Sequence, residues 1–214
     1  MAGSTIMSEY KPRIYKSNTG RRTSRPLKYD DVKNMLILAQ KKRDQSNNNR
    51  FKKIYDRDWL LIKLGVNTAL RIEDLVQIKV DENIKRGYLY VREMKTGKEQ
   101  SFEMNDKLSK DVSEYIRRNN LYEEEYLFQS TKGKNKPITR QNAYERLQIY
   151  ANEVGVNYPV SCHSMRKFFA RNYYEKTGDI LTLQKMLNHG SYIVTLRYIC
   201  WDDHAQVARK ETYI

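Results

Sequence analysis

The chain has 214 residues, enough to bury one core, and its 40 Lys and Arg outnumber 26 Asp and Glu for a formal charge of +14. Such an excess points to a polyanionic partner, although a merely soluble basic protein shares it. No apolar run nears the ~20 residues that span a bilayer, and Cys162 and Cys200 form neither a CxxC pair nor a ladder, which excludes membrane-spanning and disulfide-framework classes and fits a reducing, cytoplasmic setting.

Residues 1–26 read as a basic arm or linker, with Arg21, Arg22 and Arg25 closest to the body and no helical stripe. From Asp30, the apolar residues Val32, Met35, Leu36 and Ala39 recur at helical spacing until the polar stretch "RDQSNNNR". "DRDWLLIKLGVNTAL" (56–70) is apolar on more than one side, as a central helix is. "GYLYVREM" and "EQSFEM" flank the turn-like "KTGK" and predict a hairpin, with "VQIKV" (76–80) as a third strand. Two further helical stripes follow, through Leu108, Val112, Tyr115 and Ile116 and through Ala143, Leu147, Tyr150, Ala151 and Val154. Between them, "STKGKNKPITR" is a basic loop without an acid. After Pro159 come a helix ended by Gly178, a second ended near Gly190, and the segment "YIVTLRYICW" before the tail 202–214. The sum is an α+β domain, mostly helical with a small antiparallel three-stranded sheet.

Several residues in this layout carry chemistry. In "HSMR", His163 and Arg166 stand three apart and share a helix face, so an imidazole and a guanidinium aim at one target. A phosphate suits both; a half-buried His beside an outward Arg is the plainer reading. A metal does not want the Arg, and neither the three His nor the two Cys show close ligand spacing. In "NTALRIEDL", Arg71 precedes Asp74 by three residues, either as a surface ion pair or as a rigid fork offered to phosphate oxygens. Lys95 sits at the hairpin tip, solvated or delivered by the loop to a nucleic-acid backbone. In "LNHGSYIVTLRYICW", His189 ends one helix and Tyr198 follows nine residues later; by residue type alone, one Tyr among 17 does not stand out.

Taken in order, "TALRIEDL", "MKTGK", "HSMR", "NH" and "TLRY" resemble the signature of the tyrosine recombinase, or phage integrase, family: an Arg in a "TGLRxSEL"-like segment, a hairpin Lys, "HxxR", "GH", and a Tyr in "TxxYxH". The steps of 23 residues from Arg166 to His189 and nine from His189 to Tyr198 match the family's spacing. The resemblance covers residues 27–201, which it makes a catalytic domain, and leaves 202–214 as a tail able to dock on a neighbouring subunit. Ala69 and Asn188 stand where the family usually has Gly, and Lys167 where it often has His or Arg. Only a basic arm precedes the domain, so the chain is expected to be either an excised catalytic part or similar to the short fimbrial-type inversion recombinases.

The resemblance implies a site-specific recombinase that cuts DNA through a 3′-phosphotyrosyl link to Tyr198. Arg71 and Arg166 clamp the phosphate, His163 assists proton transfer, Lys95 protonates the leaving 5′-oxygen, His189 bonds a phosphate oxygen, and Asp74 orients Arg71. A Tyr hydroxyl, with a pKa near ~10 when unperturbed, needs such help. No metal or other cofactor is expected. The partner is double-stranded DNA, held by Arg21, Arg22, Arg25, Lys98, Lys132, Lys134, Lys136 and Arg140, with the protein a monomer in solution and a homotetramer on DNA. The setting implied is a bacterial or phage-encoded protein of the cytoplasm, near the nucleoid. Two other functions share these features: a DNA-binding regulator that keeps the fold without cutting, and a type IB topoisomerase that relaxes DNA.

Overall fold

The computed structural model describes residues 24–199. α1 (Tyr29–Gln45) and α2 (Asn49–Asn67) pair through a short connection. α2 begins seven residues before the predicted Asp56. The cause is a cap inside the polar stretch: the Asn48 side chain accepts hydrogen bonds from Arg50 N at 2.9 Å and Phe51 N at 3.3 Å. From Trp59 onward α2 is buried on nearly every side, and it packs against α1, α5 (Asp106–Asn119), α6 (Arg140–Glu153) and α7 (Cys162–Thr177). Gly65 permits the close approach of α7, since a Cβ there would stand 2.7 Å from Met165 Sδ.

The base of α2 is charged rather than apolar. Asp56 accepts from Arg43 Nη1 (2.9 Å), Arg118 Nη2 (2.9 Å) and Asn119 Nδ2 (2.8 Å), while Asp58 accepts from Arg146 Nε (2.6 Å), Arg57 Nη2 (3.0 Å) and the Tyr150 hydroxyl (3.2 Å). Buried carboxylates need such full pairing, and these two tie α1, α5 and α6 to α2.

After α2 come the short helices α3 (Ile72–Leu75) and α4 (Val80–Asn83), then the antiparallel sheet β1 (Ile84–Lys85), β2 (Tyr88–Arg92) and β3 (Glu99–Glu103), in that order. The predicted hairpin is present, with Tyr90 opposite Ser101. The predicted third strand is not "VQIKV". Val76, Ile78 and Val80 do alternate inward, but their backbone meets residues 125–127 instead of the hairpin, through Leu127 N to Ile78 O (2.7 Å) and Val80 N to Glu125 O (3.0 Å). Ile84–Lys85 takes the edge of the sheet.

α7 starts with a capping box between Ser161 and Ser164 and stops at Gly178, whose φ of 65° is left-handed. α8 (Ile180–Met186) and α9 (Tyr192–Tyr198) complete the described chain. A small second core of Ala69, Ala170, Leu183, Leu187 and Ile199, with Phe169, Tyr173 and Tyr174 around it, packs them onto α7. That accounts for most of the aromatic row after "HSMR", whose first member, Phe168, packs in the main core. The expected arm ends earlier than position 26. Arg25 N donates to Pro159 O (3.0 Å), Leu27 N to Ser164 O (3.4 Å), and Lys167 Nζ to Ser24 O (2.7 Å), so residues 24–27 belong to the packed body. Arg21, Arg22 and the tail 202–214 lie outside the described residues. No helix among the described residues is long and apolar enough to cross a membrane.

Candidate active site

The turn between α2 and α3 sets the first wall of a cleft. Ala69 there has φ 56°, a left-handed conformation that costs a non-glycine residue roughly 1–2 kcal/mol. This turn aims the Ala69 carbonyl at α7, where it accepts from Arg166 Nη1 at 2.5 Å. Arg166 Nη2 donates to Leu187 O at 2.7 Å, so two backbone carbonyls from different turns fix a guanidinium that is only 3% exposed. Arg71, two residues after Ala69, caps α3.

Arg71 has an ion-pair partner that the motif pattern does not announce. Its Nη1 lies 2.7 Å from Oε2 of Glu93, just past the end of β2. Asp74, expected to orient Arg71, instead accepts a hydrogen bond from Met94 N (2.8 Å) and so braces the hairpin. Burial raises the Asp74 pKa, with Glu93 adding to the rise and Arg71 opposing it. Burial also acts to raise Glu93, but hydrogen bonds from Thr96, Asn188 and Arg71 outweigh it and hold that carboxyl below its ordinary value.

Lys95 and Thr96 reach the cleft from the exposed hairpin tip. His163 enters from the first turn of α7. Partial desolvation, then the charges of Arg166, Lys167 and Arg140, lower its pKa. His189 follows Asn188, whose φ of 52° makes the second left-handed turn. Both positions where the family usually carries Gly therefore need the conformation that Gly adopts most freely. His189 Nδ1 lies 3.0 Å from Thr195 Oγ1, and burial together with Arg166 and Arg71 pushes its pKa down to about 4. Its ring meets the Tyr198 ring edge-on at 5.1 Å, and Lys167 Nζ stands 5.3 Å from the Tyr198 centroid.

Arg71, Lys95, His163, Arg166, His189 and Tyr198 thus line one cleft of about 350 Å³. Residues spread along most of the described chain share a volume suited to a tetrahedral anion and its two oxygen substituents. The other expected DNA contacts are more scattered. Lys98 Nζ lies 3.4 Å from Asn188 Oδ1 at the cleft's edge. Arg140 is exposed, 3.9 Å from Glu73, and close enough to act on His163. Lys132, Lys134 and Lys136 are exposed on their loop and do not line the cleft, while Arg25 is half-buried against Pro159. The sequence did hold a signal for Glu93. Leu89 and Val91 on β2 and Glu93 just beyond it alternate inward, and a carboxylate in that apolar slot calls for buried partners. Thr195 and Lys167 were marked only through the family pattern, in "TLRY" and directly after "HSMR".

The phage integrase family model matches residues 27–204. Among known proteins the chain is 36% identical over 147 residues to the probable integrase/recombinase YoeC of Bacillus subtilis, covering 69% of this chain and 79% of that one. It is 31% identical over 143 residues to tyrosine recombinase XerA of Pyrococcus furiosus, covering 66% of this chain and 49% of that one. Of the solved structures, XerA recombinase superposes with a TM-score of 0.69 at 18% identity, over 92% of this chain and 68% of that one. XerH bound to its palindromic difH substrate gives 0.65 at 21% identity, over 81% and 48%. The chain spans about half the length of the Pyrococcus recombinase and of the XerH chain, and most of the length of YoeC. With the family model covering most of the chain and this fold beneath it, the chain belongs to the phage integrase family, and its described residues form a tyrosine recombinase catalytic domain.

Proposed function

We propose that the cleft of this site-specific DNA recombinase holds the scissile phosphate, and that Tyr198 attacks it. The observation that carries the reading is the convergence of two Arg, one Lys, two His and one Tyr on a single cleft. In the forward step the Tyr198 oxygen bonds to phosphorus, the bond to the 5′-oxygen breaks, and a 3′-phosphotyrosyl link remains. The Tyr198 proton passes to His163, which its lowered pKa keeps neutral and able to accept it. Lys95 gives a proton to the departing 5′-oxygen. Arg71 and Arg166 stabilise the charge on the non-bridging oxygens, and Arg166 comes to that task already fixed by two carbonyls. His189, neutral at physiological pH, hydrogen-bonds an oxygen from a ring held by Thr195. A 5′-hydroxyl from a second strand reverses the same steps and joins new partners.

Double-stranded DNA is the substrate, and four such subunits acting in pairs complete an exchange. Support for the assembly comes from similar folds: a lambda integrase tetramer bound to a Holliday junction shares this fold, with a TM-score of 0.62 at 18% identity.

Tyr198→Phe tests the assignment. On a nicked duplex that traps the covalent intermediate, the wild-type protein gives an adduct that survives a denaturing gel; the Phe variant binds the duplex equally well and gives none. An adduct from the Phe variant would show that another residue is the nucleophile. Relaxation of plasmids lacking a recombination site would favour topoisomerase action instead.

A further inference from the structure

Glu93 is 1% exposed, and four donors surround its carboxylate. Arg71 Nη1 stands 2.7 Å from Oε2, and the Thr96 hydroxyl donates to the same oxygen at 2.6 Å. Gln100 Nε2 and Asn188 Nδ2 donate to Oε1 at 2.6 Å and 3.0 Å. A buried carboxylate costs several kcal/mol unless so paired, and the apolar alternation of β2 would have accepted Leu or Val at this position. Three of the four donors, Arg71, Thr96 and Asn188, come from separate places in the chain and themselves line the cleft, while Gln100 lies on β3. Thr96 follows Lys95, and Asn188 precedes His189.

The hairpin tip has little else to hold it. Residues 94–98 are exposed, and the turn is closed by Gly97 N to Glu93 O (2.8 Å) and Glu93 N to Lys98 O (2.9 Å). Beyond Glu93, its ties to the helical body among the described residues are Met94 N to Asp74 and the long Lys98–Asn188 contact. The Arg71 backbone is held independently at the start of α3, so removing the Glu93 charge frees the hairpin tip from the Asn188 turn without moving that backbone.

We propose that Glu93 is a positioning residue for cleavage, whose carboxylate latches the hairpin to the Arg71 turn and the His189 turn so that Lys95 stands ready in the cleft as proton donor. The proposal rests on the recombinase reading above. It gives a signature that general loss of structure does not. Glu93→Gln keeps the size of the side chain but removes the charge that gathers the donors, and it leaves Arg71 with one anion fewer to share with a phosphate. DNA binding is then unchanged or tighter, while cleavage slows because the 5′-oxygen leaves without a well-placed proton.

The test uses the nicked duplex on which the wild-type protein forms its adduct, in two versions. One carries the ordinary 5′-oxygen, the other a sulfur in its place, which leaves as a thiolate and needs no proton. Glu93→Gln is expected to slow adduct formation about a hundredfold on the oxygen substrate, the scale of a general acid's contribution, and to restore it to within about threefold of wild type on the sulfur substrate. Gln100→Leu, which removes one of the four donors, is expected to give a smaller drop with the same rescue. Amide hydrogen exchange across residues 94–98 is expected to quicken about tenfold or more in Glu93→Gln while exchange in α2 stays as in wild type. Equal slowing on both substrates, or unchanged exchange at 94–98, would overturn the proposal. If the wild-type protein forms no adduct with either duplex, the recombinase reading fails, and hairpin exchange alone then decides whether Glu93 is a latch.

Discussion

Burial of His189 beside two guanidinium groups has a consequence for stability. Its pKa is about 4 in the folded protein against about 6.5 for a free imidazole, so between these values the unfolded chain binds the extra proton. The contribution of a neutral His189 is therefore complete above about pH 6.5 and is lost as pH falls toward about 4. His163 shifts in the same direction. Replacing His189 with Gln removes one titrating group, and the drop in urea midpoint between about pH 7 and about pH 5 should be smaller in that variant than in wild type. An equal drop in both proteins would mean that His189 is not held neutral by the fold. At this scale the side chains that line the cleft were legible, His163 and Arg166 from their helical spacing and His189 and Tyr198 from the family pattern. Glu93 was harder to read as the partner of Arg71, since two short helices and the sheet's first two strands separate them. The left-handed turns at Ala69 and Asn188 were legible only as departures from the family pattern, because Ala gives no sign that its φ is positive.

Helices with a regular apolar stripe were legible nearly to their ends, and the hairpin was marked by its turn residues. Two of the differences have local causes. "VQIKV" has the alternation of a strand, and its burial follows that alternation, but period-2 patterning says nothing about which backbone lies alongside. The early start of α2 was hidden because its first turn is exposed and carries no stripe, so the cap was the only signal. Among neighbouring Asn residues, Asn48 is the one whose side chain accepts from the helix, and it is the one that matters. Asn48→Ala should lower stability by about 1 kcal/mol, read from urea unfolding, while Asn47→Ala should leave it nearly unchanged. Equal effects at 47 and 48 would place the start of α2 elsewhere.

The molecule as a whole combines a buried, fully paired charge network with a basic exterior. The network around Asp56 and Asp58 joins residues far apart in the chain, such as Asp58 and Tyr150, and no local pattern in the sequence announces such pairs. The exterior was legible as net charge, but the fold decides where that charge is held rigidly. The loop carrying Lys132, Lys134 and Lys136 is one such place. Ser130 N donates to Lys136 O at 2.7 Å, Asn135 Oδ1 accepts from Tyr126 N at 3.0 Å, and Gln129 bridges Pro137. None of the three Lys pairs with an acid among the described residues, so their charge is available to phosphates. They stand outside the cleft and are expected to add affinity without choosing sequence. Changing all three to Gln should weaken binding to every duplex alike and flatten the plot of log affinity against log salt by up to about 2.7, at about 0.9 for each phosphate no longer neutralised. The position of cleavage should not move. If the salt slope stays as in wild type while the preferred site changes, these lysines read bases in a groove, and the loop is a specificity element rather than an electrostatic one.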